Sequence, residues 1–225
     1  TVQANTTAGF SIVQYSGNAT GGATIGHGLG SAVKCVVCKP LNETKSWNLW
    51  QQGMGEDYYI AWDSSIGQAN DVQLWDSSGF TSSVFTIGSN TTYNNASGTD
   101  YVAYCWSEID GFSKFGKYIG SGSSDGVFVQ LNFTASFIMI KETGNSNDWV
   151  IWDSARFPLN PTNNSLFANL SQGDNSSSID LDVLSNGFKC RTTNSQINRS
   201  GGSYIYMAFA EHPFVGDGTN PVTAR

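Results

Sequence analysis

The segment from Tyr58 to Trp75 holds the residues whose types are best suited to binding chemistry. Its aromatic rings offer flat apolar faces that can stack on sugar rings, and its carboxylates and amides can accept hydrogen bonds from sugar hydroxyls. Turn-forming serine, glycine and asparagine residues separate them, as a shallow surface site requires. We predict a ligand site here, with ordinary core packing of the rings as the alternative. Its residues are Tyr58, Tyr59, Trp62, Asp63, Asp71 and Trp75.

Acidic residues could instead form a hydrolytic pair or a cation site. Glu108 and Glu211 are candidates for the two carboxylates of a glycosidase. They occupy equivalent positions in an internal duplication, however, and an acid and a base need two different environments. We expect both to end strands without catalysing a reaction. Asp174, Asp180 and Asp182 lie in a serine-rich stretch that we predict to be a solvated loop, although its oxygens could hold calcium.

The two histidines of the chain, His27 and His212, lack the neighbouring serine and aspartate pattern of a nucleophile elbow. His27 lies between two glycines, which favours a role in a turn. We predict that the chain is not an enzyme and that it uses no cofactor.

The four cysteines are Cys35, Cys38, Cys105 and Cys190. Cys35 and Cys38 have CxxC spacing, but they lie inside an apolar run, whereas zinc knuckles place this spacing in a glycine-containing turn. No second CxxC occurs in the sequence. We predict free, buried thiols on strands and no metal site, with a disulfide as the alternative.

These residues are carried by a chain that consists of two copies of one sequence unit. Residues 47–50 (WNLW) match residues 149–152 (WVIW), and residues 101–108 (YVAYCWSE) match residues 204–211 (YIYMAFAE). Further blocks match in the same order, and the offset stays at 102 or 103 along the chain. A constant offset over so many matched blocks is not expected by chance. We predict a lead-in at 1–8, a first β repeat at 9–108, a second at 111–212 and an extended tail at 213–225.

Each repeat has the sequence pattern of short strands joined by tight turns. Residues 33–38 form an apolar run, and residues 101–106 are β-rich and follow a Ser-Gly turn. No stretch of 12 residues has a convincing 3.6-residue period. We predict an all-β fold, a lectin-like or jelly-roll-like β-sandwich, formed either as one interleaved sandwich or as two. Its core is expected to include one Trp of each WxxW pair and four further residues: Tyr104, Trp106, Phe137 and Phe209.

The composition limits the partners that the chain can have. The formal net charge is −7 and the pI is about 4.6, so nucleic acid would be repelled. No apolar run approaches the ~18 residues that a membrane helix needs, and we predict no membrane insertion. The first residue is Thr1 rather than Met, and we expect a processed or excised piece of a longer protein.

Six blocks follow one another in a fixed order along nearly the whole chain: residues 26–30 (GHGLG), 101–108, 111–116 (GFSKFG), 153–156 (DSAR), 185–189 (SNGFK) and 204–211. In sequence and in order, these blocks resemble a domain family common in virion proteins of tailed phages, especially those of marine bacteria and cyanobacteria.

The resemblance implies a lectin-type β-sandwich at the C-terminal end of a tail-fibre-like or other virion surface protein, and it brings no catalytic residues. We therefore expect an extracellular location on the virion, contacts with other virion proteins, a host-surface glycan as ligand, and a homo-oligomer, which would be a trimer in a fibre. One alternative is a capsid decoration or cement protein without a ligand. Another is a polysaccharide-degrading enzyme.

Overall fold

The computed structural model describes residues 1–156 and 158–211, without the side chains of residues 175–177. Over these residues the protein is all-β, as the sequence predicts, with 44% strand and 5% helix, which includes the 3-10 helices Gln52–Met54 and Ser77–Gly79. Among the described residues, no helix is long and apolar enough to cross a membrane. His212 and the predicted tail at 213–225 lie outside the described residues.

The chain divides into two compact units. The first comprises Thr1–Ser64 and Gln68–Glu108, and the second comprises Ser65–Gly67 and the residues from Ile109 onward. The strands of the first unit are β1 (Val2–Asn5), β2 (Phe10–Ser16), β3 (Ala23–Gly26), β4 (Cys35–Pro40), β5 (Asn48–Gln51), β6 (Tyr58–Ala61), β7 (Ala69–Asn70), β8 (Val84–Ile87) and β9 (Asp100–Trp106). Those of the second are β10 (Ser113–Ile119), β11 (Phe128–Gln130), β12 (Ala135–Glu142), β13 (Val150–Asp153), β14 (Thr162–Phe167), β15 (Asn175–Leu184), β16 (Gly187–Cys190) and β17 (Ser203–Ala210), with one helix, α1 (Ser195–Asn198).

The first unit encloses its core between two antiparallel sheets. The larger sheet has the order β1-β2-β9-β4-β5-β6-β7, and β3 and β8 form the smaller sheet. Phe85 and Ile87 of the smaller sheet pack in one buried cluster with Val13, Val36 and Ala103 of the larger sheet. Because β2, β4 and β9 turn alternate side chains to this cluster, the period of two in the sequence positions the core.

The second unit is one antiparallel sheet that closes over its own core. Its order is β10-β17-β12-β13-β14-β15-β16-β11. Tyr118 on β10 and Phe188 on β16 come from opposite ends of this order, yet their ring centroids lie 6.0 Å apart. Phe188 also contacts Tyr206 on β17, with centroids at 5.5 Å. The two ends of the sheet therefore face each other across a single buried cluster, in a sandwich or barrel-like arrangement.

The sequence duplication corresponds to a common strand order. The run β2-β9-β4-β5-β6 in the first unit has the same order as β10-β17-β12-β13-β14 in the second. Trp50 on β5 and Trp152 on β13 enter the core clusters, as predicted for one Trp of each WxxW pair. Trp149 lies outside the cluster but is also buried, at 1% exposure. The lead-in before the first repeat contains β1, which pairs with β2.

A pair of tyrosines closes one end of the first core. The rings of Tyr15 and Tyr101 stack with centroids 5.2 Å apart. The Tyr15 hydroxyl donates to the Asn94 carbonyl at 2.9 Å, and the Tyr101 hydroxyl accepts from the Ala96 amide at 2.9 Å. These bonds tie the loop before β9 to the strands on which the rings stand.

The second unit has the same tyrosine pair. Tyr118 and Tyr204 stack at 5.0 Å, the Tyr118 hydroxyl donates to the Ile197 carbonyl at 2.7 Å, and the Arg199 amide donates to the Tyr204 hydroxyl at 2.9 Å. Each of these residues stands 103 positions after its counterpart in the first unit. The offset found in the sequence is thus the offset of matching hydrogen bonds.

The predicted core placement of four aromatic residues was wrong. Tyr104, Trp106, Phe137 and Phe209 are only partly buried and lie outside both core clusters. Successive residues of a strand face opposite sides of the sheet, and the other set of β9 side chains faces the core. That set consists of Tyr101, Ala103 and Cys105.

Candidate functional site

The six residues predicted to bind a ligand do not form one site. Tyr58 and Tyr59 are neighbours on β6, so their side chains point to opposite faces of the sheet. Tyr59 packs at the edge of the first core, on the same side as Asp71. Trp62 and Asp63 follow β6 and lie elsewhere, and Trp75 is in the core. Of the six, the structure brings together only Tyr59 and Asp71.

Tyr59 and Asp71 belong to a small surface cluster that we call the tyrosine patch, formed by Tyr59, Asp71, Asn90 and Tyr93. The rings of Tyr59 and Tyr93 are tilted, with centroids 6.1 Å apart, and both residues are half-buried. Asp71 follows β7 directly, and its amide donates to the Asp57 carbonyl at 2.9 Å, which closes the β6–β7 hairpin. The hairpin therefore fixes the separation of the ring and the carboxylate.

Hydrogen bonds hold the Asp71 carboxylate in one orientation. Its Oδ1 accepts from the Gln73 amide at 2.9 Å, and its Oδ2 accepts from Asn90 Nδ2 at 2.8 Å. An ionised carboxylate has about four acceptor positions, so roughly two are left for a ligand. The Asn90 Oδ1 in turn accepts from the Tyr93 amide at 3.1 Å, which positions the second ring.

The Tyr59 hydroxyl keeps its proton at neutral pH. Burial, and then the proximity of Tyr93 and Asp71, raise its pKa above the ordinary value. A protonated phenol can both donate and accept a hydrogen bond. The patch therefore combines two aromatic rings, a donor and a fixed carboxylate within one partly exposed surface.

Sequence reasoning missed Asn90 and Tyr93. They reach the patch because the Asn90 amide donates to the Gln73 carbonyl at 2.7 Å, a contact that joins the loop after β8 to the residues after β7. The sequence separation of this contact is 17 residues. Neither the type nor the spacing of the two residues indicated it.

Trp62 and Asp63 lie beside a row of aromatic residues on the larger sheet of the first unit. The Trp62 ring meets Trp106 edge to face at 6.5 Å, and the Trp47 amide donates to the Asp63 carboxylate at 3.3 Å. The row continues through Phe10, Trp47 and Tyr104. Trp62 is partly buried by these contacts, whereas Asp63 is exposed.

Trp75 cannot contact a ligand in this structure, which corrects its inclusion in the predicted site. Its side chain is 0% exposed and packs edge to face against Phe80 and Phe85. A single β-bridge to Ile87 holds its backbone. The alternative, in which the rings of this segment pack in a core, is therefore correct for Trp75.

The acidic residues considered for catalysis or calcium binding have other surroundings. Glu108 is half-buried, and its Oε1 accepts from Gln52 Nε2 at 3.4 Å, whereas Glu211 is exposed. The predicted loop around Asp180 and Asp182 was wrong, because both residues lie on β15. Asp182 pairs with Arg191 Nε at 3.3 Å.

Asp174 lies 3.3 Å from Arg156 Nη1, so it too has a basic partner. Within residues 1–156 and 158–211, no group of three or more His, Cys, Asp or Glu side chains could hold a metal ion. Of the acidic residues that we considered for calcium, Asp174 and Asp182 thus form ion pairs with arginines, and Asp180 lies on β15.

His27 and the cysteines are buried. The His27 ring is 0% exposed, its Nδ1 accepts from the Leu29 amide at 3.2 Å, and its Nε2 faces the Thr81 carbonyl at 3.3 Å. All four cysteines are free, as predicted. Burial raises the pKa of Cys38 to about 12 and that of Cys190 to about 11, so neither is a thiolate near neutral pH.

Comparison with known proteins places the whole described chain in one family. No curated protein and no solved structure matches the chain. A family model described as "Domain of unknown function (DUF7483)" matches residues 1–213. The match spans both repeats, and the chain therefore belongs to the DUF7483 family.

Proposed function

We propose that this chain is a non-catalytic module of a phage virion surface protein, in a tail fibre or head fibre, and that it binds a glycan of the host surface. The tyrosine patch is the observation that carries the glycan part. The placement on a virion is supported by the resemblance of the sequence blocks to tailed-phage surface proteins. Its partners would be other virion proteins and further copies of the same chain.

The chemistry of the tyrosine patch suits a neutral sugar. The rings of Tyr59 and Tyr93 pack partly against the core and remain partly exposed, and the exposed part of each ring can contact the C–H groups of a sugar. The fixed carboxylate of Asp71 accepts hydrogen bonds from adjacent sugar hydroxyls, and the Tyr59 hydroxyl can donate one. A shallow site of this kind binds weakly, and several copies on one particle supply the useful strength.

Glycan binding can be tested with the full chain on an array of host surface polysaccharides. We expect the double change Tyr59→Ala with Tyr93→Ala to weaken binding at least about tenfold, because two aromatic contacts are lost. Asp71→Asn should weaken the same glycans without removing a ring. Tyr58→Ala is the matched control, since this tyrosine stands on the same strand but on the opposite face, and it should bind like the unchanged chain.

Thermal melts establish that each variant is folded. Equal binding by the folded double variant and by the unchanged chain would remove the tyrosine patch from the proposal. Absence of binding by the unchanged chain to every host polysaccharide would favour a decoration protein without a ligand. Release of new reducing ends from a polysaccharide would contradict the non-catalytic assignment.

A further inference from the structure

The second unit contains a cleft of about 220 Å³ that the proposed function does not use. It opens where strands β12 to β15 end, and its lining is part apolar and part polar. At ~30 Å³ per water molecule, it has room for about seven waters. This volume is below the ~300 Å³ at which pockets for drug-sized ligands begin, so it suits a single ring with its substituents. The residues that matter are Ser136, Ile138, Asp153, Ser154, Pro158 and Val183.

The charge in this cleft is balanced. The Asp153 carboxylate accepts from the amide of Arg156 at 2.9 Å and from its Nε at 2.6 Å. Burial raises the pKa of Asp153, but the hydrogen bonds from Arg156 outweigh it and hold the pKa below the ordinary value. The cleft therefore offers a fixed acceptor whose charge is already paired, which favours a neutral ligand over an acid or a cation.

Two buried polar atoms in the cleft wall have no hydrogen-bond partner. They are Nε1 of Trp152 and Oγ1 of Thr162, on residues that are 1% and 2% exposed. Neither atom is reached by a water-sized sphere, so water in the cleft leaves both unpaired unless the wall shifts. A buried hydrogen-bond donor without a partner lowers the stability of the fold, so its presence needs an explanation.

The first unit supplies an internal comparison for Trp152. Trp50 occupies the same position in the first repeat, and its indole N–H donates to the Gly55 carbonyl at 3.2 Å. The Nε1 atom of Trp75 in the first unit also lacks a partner, so what distinguishes Trp152 is the cleft that lies beside it. A ligand that enters the cleft and displaces the wall can supply the missing partner.

We propose that this cleft binds one neutral sugar ring, which packs on Ile138 and Val183. A hydroxyl group of the sugar donates a hydrogen bond to the Asp153 carboxylate. As the wall of the cleft opens, the sugar also provides hydrogen-bond partners for Trp152 and Thr162. The hydroxyls of Ser136 and Ser154 add further polar contacts. This site involves other residues and another unit than the tyrosine patch, and it stands whether or not that patch binds a glycan.

The test uses the full chain with 15N-labelled tryptophan, whose seven indole groups give separate NMR signals. D-Glucose, D-galactose, D-mannose and N-acetyl-D-glucosamine are titrated separately, with D-glucuronate as the charged control. At least one neutral sugar should move the Trp152 indole signal saturably at millimolar concentration, as expected for so small a ligand. The signal of Trp50, whose indole already has a partner, should stay in place, and D-glucuronate should have no effect.

Variants identify the site. Thr162→Val should keep the fold, because it removes an unpaired hydroxyl, and should weaken sugar binding about two- to tenfold. Ser154→Leu should fill the cleft and abolish the shift, whereas Ser146→Leu, at an exposed position outside the cleft, should not. The shift should persist in the chain with Tyr59→Ala and Tyr93→Ala, which separates this proposal from the proposed function.

Two results would overturn the assignment. One is a Trp152 signal that no neutral sugar moves up to about 50 mM, far above the expected Kd. The other is a shift of equal size in folded Ser154→Leu, which would place the sugar elsewhere.

Discussion

At the scale of single residues, side chains whose types suggest reactivity are buried and hydrogen-bonded within the fold. His27 illustrates this, because its ring bridges the Leu29 amide and the Thr81 carbonyl while remaining fully buried. Since Nδ1 accepts from an amide, the hydrogen-bond network assigns the proton of the neutral ring to Nε2. A charged ring would lose the Leu29 bond, and burial lowers the pKa of His27 below its ordinary value.

This burial predicts a pH dependence of stability. The unfolded chain binds a proton at His27 near pH 6.5, whereas the folded chain does so only at lower pH. The unfolded state therefore holds more protons between these values, and the free energy of unfolding falls as pH decreases below about 6.5. We expect the Tm to fall between pH 7.5 and pH 5, and to fall less in His27→Asn. Identical pH profiles for the two chains would show that His27 does not carry the effect.

At the scale of elements, the two repeats share their turns as well as their strands. Gly17 follows β2, and Gly120 follows β10 at an offset of 103. A Cβ on Gly17 would lie 2.3 Å from the Ala96 carbonyl oxygen, and a Cβ on Gly120 would lie 2.3 Å from the Arg199 carbonyl oxygen. In both units the turn before the last strand approaches the backbone so closely that only glycine fits.

This close approach predicts equal sensitivity at two distant positions. Gly17→Ala and Gly120→Ala should each lower the free energy of unfolding by roughly 1–3 kcal/mol or more, because the clash is with backbone and not with a flexible side chain. Gly144→Ala is the control, since nothing lies within 4 Å of its added Cβ. Urea denaturation followed by tryptophan fluorescence measures the effect. A loss at only one of the two positions would contradict their equivalence.

At the scale of the whole molecule, each unit has its own core and the three sheets each lie within one unit. The alternative of a single interleaved sandwich is therefore not what the chain forms. Charged residues make up only 13% of the chain, so few charges are available to occupy a contact surface between copies. Closed symmetric rings are the common result when copies of one chain associate.

The proposed place in a fibre predicts the mass of the chain in solution. We expect a homo-oligomer, and for a fibre a trimer of three times the 24.2 kDa of one chain. Size-exclusion chromatography with light scattering measures this mass over a range of concentrations. A mass of one chain that does not change with dilution would count against a fibre.

The sequence by itself determined the all-β class, the duplication and the burial of the four thiols. The period of the strands, the turn residues and the constant offset are local or repeated features of the sequence. They can therefore be recognised without knowing the tertiary contacts. The sequence could not decide which face of β9 enters the core, because both faces carry apolar residues and a period of two does not distinguish them. Tyr104 and Trp106 were misplaced for this reason.

Only the tertiary structure decided the candidate sites. Asn90 and Tyr93 lie beside Asp71 because of a loop contact between residues that are 17 positions apart. Trp75 is in the core, and its backbone forms a single β-bridge with Ile87. The cleft beside Trp152 depends on where four strands end together. Binding sites arise from non-local contacts whose geometry depends on the packing of the whole unit, and residue types along one segment do not specify that packing.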